Sequence, residues 1–293
     1  MSLADSEHIA GRPIAVIGCG TLGRRIALMA STRGGEVRIF DTQERSLAQG
    51  LNYVTKTLPA IVASIPGAAA GRVQGVTDLA AAVSNAWLVV EAVPEQLKLK
   101  RAVFGELDSL APADAILATN SSSYPSSQLI DEVARPERVL NMHYYMPPEM
   151  PVVELMSCGK TDPAIIDFLM ERLPLYGLVP FRVQRESVGF IFNRIWAAIK
   201  RESLSVVEER VAQPEDIDRM WNLFTASMSG PFRLMDRVGL DTVLAIEEHY
   251  AAIRKDIPEG PRKLLQRYVD RGSLGVKSGR GFYDDYSGEN KPH

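Results

Sequence analysis

The clearest chemical signature is Val16-Ile17-Gly18-Cys19-Gly20-Thr21-Leu22-Gly23, a G-x-G-x-x-G turn that follows an apolar run and opens a helical one. Gly18 permits a tight turn, Gly20 has no side chain to obstruct a pyrophosphate, and Gly23 lets a helix approach a sheet closely. The phosphates of a dinucleotide then meet the helix N-terminus, which makes Gly18, Cys19, Gly20, Thr21, Leu22 and Gly23 the candidate cofactor loop. Asp41 closes the next apolar run, 23 positions after Gly18, near the ~20 expected of an acid that binds the ribose. A carboxylate accepts hydrogen bonds from a free 2′-hydroxyl and repels a 2′-phosphate, so Asp41 favours NAD over NADP. A second candidate for chemistry is a histidine, His143. A histidine titrates near neutral pH and can move a proton in either direction. A carboxylate on its other nitrogen fixes the tautomer and stabilises the imidazolium. A histidine met alone is more often structural, and the neighbouring motifs have to decide.

These groups need elements to position them. Short apolar runs at Ile14–Ile17, Val37–Phe40, Leu88–Val93, Ala115–Thr119, Val139–Met142, Val152–Met156 and Pro180–Val183 alternate with helical stretches, of which Leu22–Ser31 is the first. The long connections Thr42–Ala86 and Pro94–Asp114 also read as helical. Strands alternating with helices imply a doubly wound α/β fold, a parallel sheet covered on both faces. His143 would then directly follow a strand and face a cleft at the strand ends. The texture changes after Ser187. Phe190 to Val211 reads as a helix with apolar residues on most faces, and such a helix is buried in a core or an interface. Further helices are expected near Pro214, Pro231–Val238, Asp241–Lys255 and Pro261–Arg271. The expected organisation is a Rossmann-type dinucleotide-binding domain over residues 12–186 and a smaller all-α domain over 187–293.

Composition narrows the function class. The 293 residues carry 33 Lys plus Arg against 36 Asp plus Glu, a formal net charge of −3, so nothing in the charge balance points to nucleic acid or an anionic membrane. No apolar run reaches the ~18 residues of a membrane span. The two cysteines, Cys19 and Cys158, form no disulfide framework, and no Cys/His cluster has metal spacing. A soluble cytoplasmic protein without a bound metal is the expectation.

Several further segments, taken with the glycine loop, resemble the L-3-hydroxyacyl-CoA dehydrogenase family. Val89 to Lys100 is similar to its strand-end segment, which implies that Glu95 and Lys100 lie beside the cofactor. Thr119-Asn120-Ser121-Ser122-Ser123 is similar to its N-[ST]-S-S loop, which implies a substrate contact for Ser122 and a cofactor contact for Asn120. Met142 to Pro148 followed by Val152-Val153-Glu154 resembles its H-F-x-N-P…V-E motif and implies that His143 and Glu154 are the catalytic pair. Ser187 to Arg194 resembles its G-F-I-x-N-R segment and implies a substrate-site role for Asn193. Val238-Gly239-Leu240-Asp241-Thr242 and Lys277 to Tyr283 resemble its C-terminal signatures. The resemblance implies an NAD-dependent oxidoreductase that interconverts 3-hydroxyacyl and 3-oxoacyl substrates. It also implies a homodimer with its active site in an interdomain cleft. Ser122 and Asn193 suit the holding of the reacting oxygen. Cys19, Cys158, Tyr144, Tyr145, Phe190 and Trp196 read as inert, core or pocket-wall residues.

Two departures bear on the substrate, which is a small acyl compound or hydroxy acid with a CoA thioester among the candidates. Met146 stands where the family usually has asparagine, three residues after the histidine, and the spacing from His143 to Glu154 is one residue shorter than usual. The stretch after the second strand, Asn52 to Leu88, holds only Lys56 and Arg72 as bases. That is few for the phosphates of CoA, and it keeps open a non-thioester substrate of the L-gulonate or carnitine dehydrogenase type.

Overall fold

The computed structural model describes residues 9–286. The chain divides into two units, Met1–Ile191 and Phe192–His293. The first contains β1 (Ile14–Ile17), α1 (Thr21–Ala30), β2 (Glu36–Phe40), α2 (Glu44–Ser64), β3 (Arg72–Val76), α3 (Leu79–Val83), β4 (Leu88–Glu91), α4 (Leu97–Leu110), β5 (Ile116–Thr119), β6 (Val139–Met146), β7 (Met150–Ser157), α5 (Pro163–Arg172) and β8 (Val179–Val183). The strands form one sheet in the order β3-β2-β1-β4-β5-β6-β7-β8. The order reverses direction between β1 and β4, which pair in parallel. At that switch point a crevice opens beyond the strand ends, where open α/β sheets bind ligands.

The central strands are buried at every position and apolar at all but the last residues of β4 and β5, because both faces are covered. Ile14, Val16, Leu88 and Val90 pack on one side with Ile26, Met29, Val54 and Leu169 from α1, α2 and α5. Their neighbours Ala15, Ile17, Val89 and Leu117 pack on the other side with Val83, Phe104 and Leu107 from α3 and α4. The period of two thus deals alternate residues to two cores.

Three expectations need correction. Arg72–Val76 is a strand, β3, inside the connection read as helical. It is a half-exposed edge strand and lacks the apolar run that marks the buried ones. The sheet is not wholly parallel, because β6 and β7 are joined by a tight hairpin and run antiparallel. Both extend beyond the apolar runs that announced them, so His143 lies within β6 rather than after a strand.

The second unit contains α6 (Phe192–Glu208), α7 (Pro214–Thr225), α8 (Pro231–Val238), α9 (Leu240–Ile253) and α10 (Gly260–Asp270). Leu204, Phe232, Met235, Leu240, Val243 and Leu265 form its core. Asp218 on α7 accepts the backbone N–H groups of Phe232 and Arg233, capping α8 from outside. Asp236 on α8 accepts N–H groups of Phe282 and Tyr283 and the Tyr286 hydroxyl, which ties the tail to the bundle. The apolar reading of the first helix is also corrected. The buried face of α6 carries Lys200 and Arg201 beside Ala197 and Leu204, and Arg201 pairs with Glu247 of α9 at 2.9 Å. The helix begins at Phe192 rather than Phe190, because Gly189 and Phe190 take left-handed backbone angles (φ +78° and +53°) in a turn before it. Among the described residues no helix is long and apolar enough to cross a membrane, and no group of three His, Cys, Asp or Glu could hold a metal ion.

Candidate active site

The glycine loop sits at the β1 side of the crevice. Gly18 has φ +105°, and a Cβ there would lie 2.6 Å from the Ala92 carbonyl oxygen beyond β4. A Cβ on Gly23 would collide with the Gly18 carbonyl, so α1 approaches the loop as only glycine allows. A Cβ on Gly20 would meet nothing within 4 Å. The α1 N-terminus carries no side-chain cap and no acid in its first turn. Open space beside uncapped N–H groups fits a pyrophosphate. Asp41, after β2, accepts the Cys19 N–H through Oδ2 at 2.8 Å and the Gln43 N–H through Oδ1 at 2.9 Å. A carboxylate has about four acceptor positions, so capacity remains for ribose hydroxyls. These residues fit NAD. Cys19 is buried with its thiol pKa raised to about 11 by burial and then by Asp41, which suits an inert wall. Gly50 of α2 packs on it, where a Cβ would strike the sulfur.

The β4 side of the crevice is built around charge. Glu91 ends β4 fully buried and accepts Lys100 Nζ (2.8 Å), the Val93 N–H (2.7 Å) and the Thr119 hydroxyl (2.6 Å). Lys100 is also buried, and its ammonium is shared between Glu91, Glu95 (3.1 Å) and the Val93 carbonyl (3.2 Å). Glu95 in turn accepts the Ser121 hydroxyl and the N–H groups of Ser122 and Ser123 on one oxygen. The loop after β5 is therefore held by an anion. Burial would raise the Glu95 carboxyl, but Lys100, Ser121 and Ser123 outweigh it and hold it below the usual carboxylate range. A depressed folded pKa contributes stability that is present above the unfolded value and lost as pH falls through the folded one. The melting difference between wild type and Glu95→Gln is thus expected to be complete at about pH 6 and to vanish once pH drops well below the ordinary glutamate value of about 4.3. A pH-independent difference in thermal unfolding would refute this.

The same loop reaches β6. Asn120 Oδ1 accepts the N–H of Tyr144, next to His143. Ser122 is exposed on the loop. β5 and β6 pair in parallel, with Thr119 opposite Asn141, so the loop leaves β5 at the level of His143. His143 and Glu154 are directly opposed partners across the antiparallel β6–β7 pair. Directly opposed residues share a face of a sheet. Their side chains meet there, His143 Nδ1 to Glu154 Oε2 at 3.2 Å, with relative exposures of 6% and 2%. The other Glu154 oxygen accepts the Ile191 N–H at 2.9 Å. The Phe190 ring stacks on the imidazole, 4.6 Å between centroids and 16° from parallel.

The sequence reading missed Tyr145 as a member of this group. Its hydroxyl donates to Glu154 Oε2 at 2.8 Å, and its ring meets the His143 ring edge-on at 4.7 Å. The signal was present, since residues i and i+2 of a strand share a face. Glu91 was missed too, although a glutamate ending an otherwise apolar buried strand has to be paired. Asn193 lies in the first turn of α6, in the second unit.

A glycine loop at a sheet's switch point, an acid after the next strand and a histidine–carboxylate pair on adjoining strands are the parts that an NAD-dependent dehydrogenase acting on a hydroxyl group requires. Comparison with known proteins agrees. The model of the 3-hydroxyacyl-CoA dehydrogenase NAD binding domain matches residues 13–187, and that of the family's C-terminal domain matches residues 189–285. The chain therefore belongs to the 3-hydroxyacyl-CoA dehydrogenase family, as an oxidoreductase of the 3-hydroxyacyl type that uses NAD. It is 34% identical over 279 residues to a 3-hydroxybutyryl-CoA dehydrogenase of Mycobacterium tuberculosis, covering 92% of this chain and 97% of that one. It is 30% identical over 279 residues to the 5-formyl-3-hydroxy-2-methylpyridine 4-carboxylate 5-dehydrogenase of Mesorhizobium japonicum, covering 93% and 90% of the two chains. The crystal structure of (S)-3-hydroxybutyryl-CoA dehydrogenase from Ralstonia eutropha matches with a TM-score of 0.83 at 28% identity, over 94% of this chain and 99% of that one.

Proposed function

We propose that the enzyme interconverts a 3-hydroxyacyl and a 3-oxoacyl substrate, with His143 as general base in oxidation and general acid in reduction. The observation that carries this is the buried contact of His143 Nδ1 with Glu154. A carboxylate there holds Nδ1 as the N–H nitrogen and leaves Nε2 to exchange a proton with the substrate oxygen. NAD, when bound, supplies the nicotinamide carbon that takes or gives the hydride. Ser122 and Asn193 are proposed to orient the reacting oxygen. Gly18 to Gly23 and Asp41 are proposed to hold the dinucleotide, with Asn120, Glu95 and Lys100 shaping the nicotinamide side.

A CoA thioester is the substrate class we favour. The count of bases after β2 overlooked α1. Arg24 and Arg25 both pack on the Tyr53 ring of α2, at 5.0 and 5.7 Å from its centroid. Arg25 also bonds the Pro147 carbonyl and Glu149 in the β6–β7 hairpin. Arg24 is only half-buried. A guanidinium so placed can receive a phosphate. A free hydroxy acid is the second reading. Met146 favours it, an exposed thioether where the family places an amide, as does the likeness to an enzyme named for a pyridine carboxylate. NADH oxidation with acetoacetyl-CoA beside acetoacetate decides between them. The first reading expects turnover of the thioester alone, with Arg24→Ala raising its KM about tenfold, as expected for loss of one charged hydrogen bond. Turnover of acetoacetate alone would install the second.

We also propose a cytoplasmic homodimer, with two buried free cysteines in keeping with a reducing compartment. Met220, Leu223, Phe224 and Met228 lie exposed along and just after α7, the last two at 84% and 96%. Large apolar side chains exposed together along one helix mark an association surface. Sedimentation at micromolar concentration should give a dimer, and Phe224→Asp should give a monomer. A wild-type monomer would remove the proposal.

A further inference from the structure

We propose that Tyr145 is a positioning residue for His143: its hydroxyl holds Glu154 as a hydrogen-bonded anion and so limits how strongly that carboxylate draws a proton onto the imidazole. The inference rests on the reading of His143 as the proton-transfer group.

The geometry is a three-way junction. Tyr145 Oη and His143 Nδ1 converge on the same carboxylate oxygen, Glu154 Oε2, at 2.8 and 3.2 Å. The second oxygen is taken by the Ile191 N–H. Glu154 is almost wholly buried, so bulk water does not substitute for a lost donor. The imidazole is gripped between the Phe190 ring on one side and the Tyr145 ring edge-on. Tyr145 therefore touches both members of the pair and reaches the proton-transfer group from its own strand.

The consequence follows from carboxylate chemistry. Each donor to a carboxylate spreads its negative charge and lowers its basicity. With Tyr145 donating, Glu154 attracts the imidazolium less than a bare carboxylate in the same place would. Within the first unit, the titratable groups facing the imidazole are Glu154 from β7 and Tyr145 from β6. The loop after β5 bonds the adjoining Tyr144 amide through Asn120, β8 pairs Phe181 with Glu154 in register, and the turn before α6 contributes Phe190 and an amide. Phenylalanine at position 145 would keep the ring and remove the hydroxyl donor to Glu154.

The test reads His143 directly and requires no substrate. The chain has four histidines, and NMR of histidine-labelled protein, assigned with His143→Ala, gives the titration midpoint of each. Tyr145→Phe is expected to raise the His143 midpoint by about half to one pH unit, the effect of one hydrogen bond on a neighbouring charge. Glu154→Gln is expected to lower the midpoint, and adding Tyr145→Phe to it should then change little, because the two act through one oxygen. An unchanged midpoint in Tyr145→Phe, with the fold intact, overturns the proposal. So does a shift of that size in the Glu154→Gln background, which would assign the effect to ring packing and overturns the proposal even if Tyr145→Phe alone does not fold. Failure of the underlying reading looks different: His143→Ala would then keep its turnover, whatever the titration shows.

Discussion

His143→Ala is expected to lower kcat/KM by about 10²- to 10⁴-fold, the range contributed by one positioned acid–base group. The loss should fall on kcat, because in the proposed role the histidine acts only as the hydroxyl proton moves. NADH binding, followed by fluorescence, should be unchanged. The glycine loop and Asp41 lie at the other side of the sheet's switch point and share no hydrogen bond with His143. The variant should fold, since it exchanges a packed imidazole for a methyl group within the β6–β7 ladder and leaves Glu154 its bonds from Tyr145 and Ile191. Added imidazole should restore part of the rate if the cavity admits it. Undiminished turnover would show that another group moves the proton. Equal losses in turnover and in NADH binding would show that the histidine is structural.

Lys100→Met carries the largest expected effect on stability. Lys100 and Glu91 are 1% and 0% exposed, and the ammonium meets Glu91 at 2.8 Å. Removing one partner of a buried pair leaves the other charged without a counterion and typically costs about 3–5 kcal/mol. Glu91 would keep only Thr119 and the Val93 N–H. Glu95 would lose its cation as well, so the serine loop should loosen together with the core beneath it. Denaturant unfolding measures the first effect. The pairing of Lys100→Met with Glu91→Gln separates it from a cofactor role: the double variant should recover part of the stability lost in the single one. A Lys100→Met protein of wild-type stability but weakened NADH binding would instead make the lysine a direct cofactor contact, which its three existing acceptors argue against.

What was legible in the sequence, and what was not, follows the physics of each segment. The β1–turn–α1 unit was readable because its glycines are needed where the backbone turns and packs closely, and the central strands because burial on both faces makes nearly every position apolar. Strand β3, Arg-Val-Gln-Gly-Val, was hidden because an edge strand needs no such run. The ends of β6 and β7 were hidden because Tyr144 to Met146 and Met150-Pro151 do not alternate. The helix start moved because nothing in the residue type of Phe190 announces a left-handed backbone, yet that turn is what lays its ring on His143. The pair His143 and Glu154 was named from motif resemblance, whereas their opposed register on two strands is the physical reason they meet. Tyr145 was set aside as a wall residue because aromatic rings usually are one, and its hydroxyl found its partner only across the hairpin.

Asp41 carries one last consequence. Its two oxygens strap the Cys19 amide on one side and the Gln43 amide on the other, so the residue that would read the ribose is also the latch of the loop that would carry the phosphates. Any attempt to convert the enzyme to the phosphorylated dinucleotide by exchanging this acid for a neutral or basic residue would open the latch at the same moment. Cofactor preference and loop shape are inherited together in this chain, and a redesign would have to supply a second acceptor for the Cys19 amide before it could change one without the other.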